Sequence, residues 1–205
     1  MLLPYVYYPI YPVPNYNYTP INAYPWYVAP SSPGETQEGF ELPRVSSFDE
    51  RARAEKLVAR GDASFARRQY AGAIARYQES VQAAPDVADS RIRLVLALIA
   101  ERRYPAAARA FFEALDAQKD WSESELNLEG HYSPGQLAKT ERLLTRLVDA
   151  DPMNAELALA LGIQLFFTGQ RDKAELYFNR AVQLGADEKN RLAGFLRQTQ
   201  VAQAP

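Results

Sequence analysis

Residues 54–85 read AEKLVARGDASFARRQYAGAIARYQESVQAAP. Small residues fall at Gly61 and Ala73, an aromatic ring at Tyr77, a small Ser80 and a proline at Pro85. Each has a physical reason. Small side chains at facing positions let two helices approach closely, a ring fills the space left over, and proline stops a helix. The stretch therefore predicts two helices joined by a short turn. The ring at Tyr77 is expected to close the gap against the following pair.

The same pattern returns downstream in a frame of about 34 residues. A second copy opens at Ala88: Tyr104 matches Tyr70, Ala107 matches Ala73, Phe111 matches Tyr77, and Ala114 takes the place of Ser80. Val95 stands there for the glycine and Lys119 for the proline. A further clear copy opens at Ala155, with Leu161, Gly162, Leu165, Ala174, Phe178 and Ala181 in register, and ends in Gly185-Ala186. Between these two lies a degenerate copy over 121–154. Its second helix, near Gln136 to Ala150, is well patterned by Leu137, Leu143, Leu144, Leu147 and Val148. Its first helix is interrupted by Gly130, Pro134 and Gly135, so a shortened or loosened helix is expected. The small position there carries Thr140.

This spacing resembles the tetratricopeptide repeat, over roughly residues 54–186. The resemblance implies an all-α fold: a right-handed α-solenoid of about four helix pairs, with copies near 54–87, 88–120, 121–154 and 155–186. A stacked array leaves its last apolar face open, so a capping helix over 187–203, with Leu192, Phe195 and Leu196 on one face, is expected.

Ahead of the first copy, Ser47-Phe48-Asp49-Glu50 fits a capping box and marks the start of the helical domain, 47–205. Residues 35–46 read as a linker. Residues 1–34 contain no charged side chain, and 1–30 hold eight tyrosines and seven prolines. Proline at that density disfavours helix and predicts an extended, polyproline-like or disordered tail.

Composition narrows the function classes. A net charge of −2 and interspersed acids argue against a general attraction to nucleic acid. The absence of cysteine removes disulfides, thiolate zinc sites and thiol nucleophiles. A single histidine, His131, removes multi-histidine metal sites, and its Gly/Pro-rich setting predicts an exposed loop residue. No phosphate loop, dinucleotide fingerprint or nucleophile elbow occurs. The expectation is no catalytic residue, no cofactor, no metal and no membrane span. The compartment stays open: no export signal is visible, which makes the cytoplasm the default, with an extracytoplasmic place the other choice.

Repeats of this family bind peptides or partner domains in a concave groove lined by first helices; that is what the resemblance implies. The groove positions here are Val58, Asp62 and Phe65 in the first copy and Asp89, Ile92, Leu96 and Ile99 in the second. In the last copy they are Leu159, Ile163, Phe166 and Phe167. Family members that clamp a C-terminal carboxylate use Lys, Arg and Asn there, and Val58 and Asp62 do not match. The groove thus reads as apolar with acids at its entrance, suited to an apolar or aromatic segment. The chain's own tail is one such segment, by docking or by self-association. The competing expectation is an envelope-associated structural protein whose tail makes the main contact.

Overall fold

Ser47 begins the first helix as its sequence requires. Its hydroxyl accepts from the Glu50 backbone N–H at 3.3 Å, and the Glu50 carboxylate accepts from the Ser47 N–H at 2.8 Å. The computed structural model describes residues 45–118, 128–187 and 190–201. Among these residues there are eight α-helices, one 3-10 turn and no strand. In chain order the helices are α1 (Phe48–Ala66), α2 (Tyr70–Ala83), α3 (Ala88–Ala100) and α4 (Tyr104–Ala117). After the 3-10 turn Glu129–His131 come α5 (Gln136–Ala150), α6 (Ala155–Phe166), α7 (Arg171–Gln183) and α8 (Arg191–Val201). The tail, most of the linker and residues 119–127 lie outside the described residues, as do the expectations made for them.

Three turns, those joining α1 to α2, α3 to α4 and α6 to α7, are built alike. Arg68, Arg102 and Gly169 occupy the same place in their copies, and all have positive φ, at 62°, 61° and 85°. Each turn closes with two backbone bonds. The residue after the left-handed one reaches back five positions, as Gln69 N–H does to Ser64 O at 2.9 Å, Arg103 to Leu98 at 2.8 Å and Gln170 to Leu165 at 2.9 Å. The left-handed residue itself reaches back three, as Arg68 does to Phe65 at 2.8 Å. This Schellman arrangement satisfies carbonyls that a helix end leaves open. α7 ends the same way at Gly185, φ 85°. α2 and α5 stop instead just before Pro85 and Pro152.

Inside each pair the small and aromatic positions meet. A Cβ built on Gly61 would lie 2.4 Å from the Tyr77 ring, and one on Gly162 would lie 2.8 Å from the Phe178 ring. The ring thus packs on the first helix of its own pair, and rings at this position also reach other pairs, as Phe111 meets Phe178 and Phe178 meets Phe195. Ala73, Ala107 and Ala174 are fully buried, as are Ser80, Ala114 and Ala181. Ser80 is a polar replacement with both needs met: its hydroxyl donates to Ala54 O at 3.0 Å and lies 2.8 Å from Ser90 Oγ.

Neighbouring helices pack in sequence order from α1 to α4 and again from α5 to α7. The order breaks between these runs. Over Leu128–Gly135 there is only the 3-10 turn and a bend through Pro134 and Gly135 (φ 72°), where a first helix of the third copy is expected. α6 packs directly on α3 and α4, so every residue from Leu157 to Phe166 is buried. α8 then packs on α4 and α7. Its Phe195 enters a ring cluster with Phe111, Phe166 and Phe178, at centroid distances of 5.8, 4.7 and 6.1 Å. Arg191 lies over the Phe112 ring at 4.1 Å and pairs with Asp116 at 3.0 Å. Leu192 and Phe195 are buried and Leu196 is half-buried, on one face as expected, although the helix begins at Arg191 and not at Asp187. Asp187 instead accepts from the Leu192 N–H at 2.6 Å.

Candidate functional site

The side of the molecule where the groove is expected is where the irregular third copy folds back. Residues 128–136 lie against α1, α2 and α6 through a series of specific bonds. Leu128 N–H donates to Phe167 O at 2.6 Å. The His131 ring stacks on Phe65, centroids 4.0 Å apart, and the Tyr132 ring meets Phe65 edge-on at 5.1 Å. Tyr132 OH donates to Gln164 Oε1 at 2.6 Å, and Gln136 Nε2 donates to Tyr70 OH at 2.5 Å. Gln136 in turn accepts from Ser133 N–H and Oγ–H, at 3.1 and 2.6 Å.

Below His131 sits a polar network drawn from three helices. Tyr77 OH donates to Asp62 Oδ1 at 2.7 Å. Arg93 donates from Nη1 to Asp62 Oδ2 at 2.9 Å and from Nε to both Asp89 oxygens, at 3.1 and 3.0 Å. His131 Nε2 lies 3.4 Å from Tyr77 OH, and Nδ1 lies 3.4 Å from Arg93 Nη1. Because Tyr77 spends its proton on Asp62 and Arg93 has only protons to give, the network assigns the neutral Nε2–H tautomer. Nδ1 then accepts from Arg93 and Nε2–H donates to the Tyr77 oxygen.

The His131 side chain is 2 % exposed. That overturns the expectation of an exposed loop histidine. Burial is the main cause that pulls its pKa down to about 4, with the Arg93 charge adding to it and Asp62 and Asp89 opposing. Burial likewise raises the Tyr77 hydroxyl, helped by its bond to Asp62, and raises the Tyr132 hydroxyl. At neutral pH these groups are protonated phenols and a neutral imidazole locked to each other. The arrangement holds residues 128–136 against α1 and α2.

The eleven expected groove residues separate into two sets. Phe65, Ile92, Leu96, Ile99, Leu159, Ile163, Phe166 and Phe167 are at most 4 % exposed and belong to the hydrophobic core. Two causes bury them: α6 sits directly on α3 and α4, and residues 128–136 cover α1. They do not line an open groove. The other three, Val58, Asp62 and Asp89, border a cleft of about 260 Å³ between α1 and α3. Ala54, Ala59 and Val87 add apolar wall, and Glu55 adds a further carboxylate at the rim.

Three participants were not legible in the sequence: Arg93, the Tyr77 hydroxyl and the returning segment itself. Arg93 occupies a position that the repeat frame does not mark for binding. The one signal was His131-Tyr132 beside Gly130 and Pro134-Gly135, an aromatic pair where the helical pattern fails. Among the described residues no cluster of His, Cys, Asp and Glu could hold a metal ion, and no helix is long and apolar enough to cross a membrane. No protein-family profile matches the chain, and no curated protein matches it.

Proposed function

We propose that this chain is a non-enzymatic protein-interaction scaffold of the tetratricopeptide kind, a right-handed solenoid whose concave side is partly filled by its own residues 128–136. Supporting the repeat reading are the equivalent turns at Arg68, Arg102 and Gly169 and the equivalent close contacts at Gly61 and Gly162. The observation that carries the binding reading is the cleft between α1 and α3. Val58, Ala54, Ala59 and Val87 give it apolar wall, and Glu55, Asp62, Asp89, Arg51 and Ser90 give it polar lining.

A cleft of this size suits one anchoring apolar or aromatic side chain presented by an extended segment, and not a whole helix. Asp62 and Asp89 are already committed to Arg93, so they shape the rim and add little net charge.

Val58→Arg tests the reading. Val58 is only half-buried, so the variant keeps its fold while placing a long charged chain in the cleft. A defined partner enriched by the full chain and lost with Val58→Arg is the expected result. A partner retained equally by the variant, or none enriched, defeats the reading. Deleting residues 1–34 in parallel identifies a competing occupant: capture that rises on deletion assigns the cleft to the tail, and unchanged capture excludes it.

A further inference from the structure

Residues 128–136 leave the helical frame as the 3-10 turn Glu129–His131 and a bend, and they are seated on α1, α2 and α6. The surface beneath them is therefore seen with an occupant in place. Phe65 receives two rings at once, His131 stacked at 4.0 Å and Tyr132 edge-on at 5.1 Å. Around that ring stand acceptors that the segment uses: Phe167 O for the Leu128 N–H, Gln164 Oε1 for the Tyr132 hydroxyl, and the Tyr70 hydroxyl for Gln136 Nε2. Asp62 Oδ1 lies 3.5 Å from His131 Nδ1. Asp62, Phe65 and Phe167 are positions that the repeat resemblance gives to bound ligands, so the segment lies where a ligand is expected to lie.

The fit is incomplete. Gln164 is fully buried, and its Nε2 has no hydrogen-bond partner among the described residues. A buried donor left unused is rare in a closed core, and an incoming carbonyl has a bond to gain there. The segment also buries little for its length. Leu128 and Tyr132 are its buried hydrophobic side chains, His131 and Gln136 are polar, and Glu129, Gly130, Pro134 and Gly135 are exposed. In α6, by contrast, every residue from Leu157 to Phe166 is buried. A stretch with few buried apolar contacts opens while the rest of the fold stays closed.

We propose that residues 128–136 are a built-in ligand whose opening leaves, on α1, α2 and α6, a docking site for a turn-forming partner segment that presents a flat ring followed by a tyrosine. The ring stacks on Phe65, the tyrosine donates to Gln164 Oε1, and a carbonyl of the partner takes the unused Nε2. The tethered segment competes at high effective concentration, so a partner binds only in proportion to the open fraction. The inference rests on the scaffold reading but on a different surface, which shares Asp62 alone with the cleft at Val58.

Hydrogen exchange on the full chain tests the opening. The Leu128 and His131 amides, bonded to Phe167 O and Leu128 O, should exchange about 100-fold faster than those within α6. Equal rates overturn the proposal. Fluorescence anisotropy with a labelled peptide of residues 128–136, Leu-Glu-Gly-His-Tyr-Ser-Pro-Gly-Gln, tests the site. His131→Ala combined with Tyr132→Ala strips the built-in ligand of its rings. That variant should bind the peptide saturably and about tenfold more tightly than the parent chain does. A peptide with alanine at both ring positions should bind about tenfold more weakly. The proposal is overturned by a folded variant that does not bind the peptide or binds it no better than the parent, and by equal binding of the alanine peptide. If a thermal melt shows that the double variant does not fold, Tyr132→Ala alone takes its place. A stable dimer formed on mixing the parent with the variant assigns the site to a second copy and overturns the partner reading. None of these readouts uses a captured partner, so the scaffold reading, tested by capture with Val58→Arg, stands or falls separately.

Discussion

The first and last helix pairs place a ring on a glycine in the same way, yet their surroundings are opposite. Tyr77 over Gly61 turns its hydroxyl into the Asp62–Arg93–His131 network. Phe178 over Gly162 lies in a dry cluster, stacked on Phe111 at 6.2 Å with 2° between the planes. The backbone frame sets where the ring goes, and the helices around it set what the ring must satisfy. Around Phe178, α4, α6 and α8 supply the rings of Phe111, Phe166 and Phe195. Around Tyr77, α1 and α3 supply charges and the segment 128–136 supplies an imidazole.

The contrast is broken most severely by emptying the dry side. Phe178→Ala should cost about 4 kcal/mol, because four helices surround the void and none can move in freely. The measurement is equilibrium denaturation, with α8 expected to lose its protection from hydrogen exchange first, since Phe195 packs on that ring.

The wet side should respond to acid where the dry side cannot. His131 has a folded pKa of about 4 against about 6.5 when unfolded. Between those values the unfolded chain holds the extra proton, so stability rises with pH. The contribution is full above about pH 6.5 and falls away as the pH drops to about 4, by up to about 3 kcal/mol. The groups facing the ring are Asp62 from α1, Tyr77 from α2, and Asp89 and Arg93 from α3. His131→Leu should flatten the stability profile across this window. A profile equally steep in the variant would assign the acid sensitivity to other groups.

Both sides share the close approach, and Gly61→Ala tests it directly. In an exposed helix this change gains up to about 1 kcal/mol, as expected for Gly72→Ala, where the nearest atom to the new Cβ is 3.8 Å away. At Gly61 it should cost about 2 kcal/mol, because the Tyr77 ring is buried and its hydroxyl is tied to Asp62. Gly162→Ala should cost somewhat less, with 2.8 Å to the Phe178 ring against 2.4 Å at Tyr77.

Glycine, alanine and ring positions were legible in the sequence because their spacing follows from how two helices touch. So were the helix stop at Pro85 and the cap at Ser47. The turns were less legible: two of three left-handed positions are Arg68 and Arg102, residues that do not announce positive φ. Removing that strain with Arg102→Gly should gain about 1 kcal/mol. The groove was misread for a different reason. Burial of Leu159, Ile163 and Phe166 depends on α6 meeting α3 and α4, a long-range contact that arises because residues 128–135 form a turn and not a helix. Local pattern shows that a helix fails there. It does not show what takes the vacated place.

The contrast is tested most directly by exchanging the two rings. Tyr77→Phe removes one donor from Asp62, which keeps its Arg93 bond at 2.9 Å and is about a third exposed to water, and also removes the acceptor of the buried His131 Nε2–H. The cost should be about 2 kcal/mol, most of it from the imidazole N–H left without a partner. Phe178→Tyr adds a hydroxyl to a site walled by the rings of Phe111, Phe166 and Phe195. An unsatisfied buried hydroxyl costs about 1–3 kcal/mol, so the two exchanges should cost about the same. Both variants measured by denaturation with the double exchange should give additive costs, because within the one core the two rings share no ring contact. A strongly non-additive double exchange would show that the two pairs respond as one unit through α3 and α4, and the contrast between a wet and a dry pair would then fail.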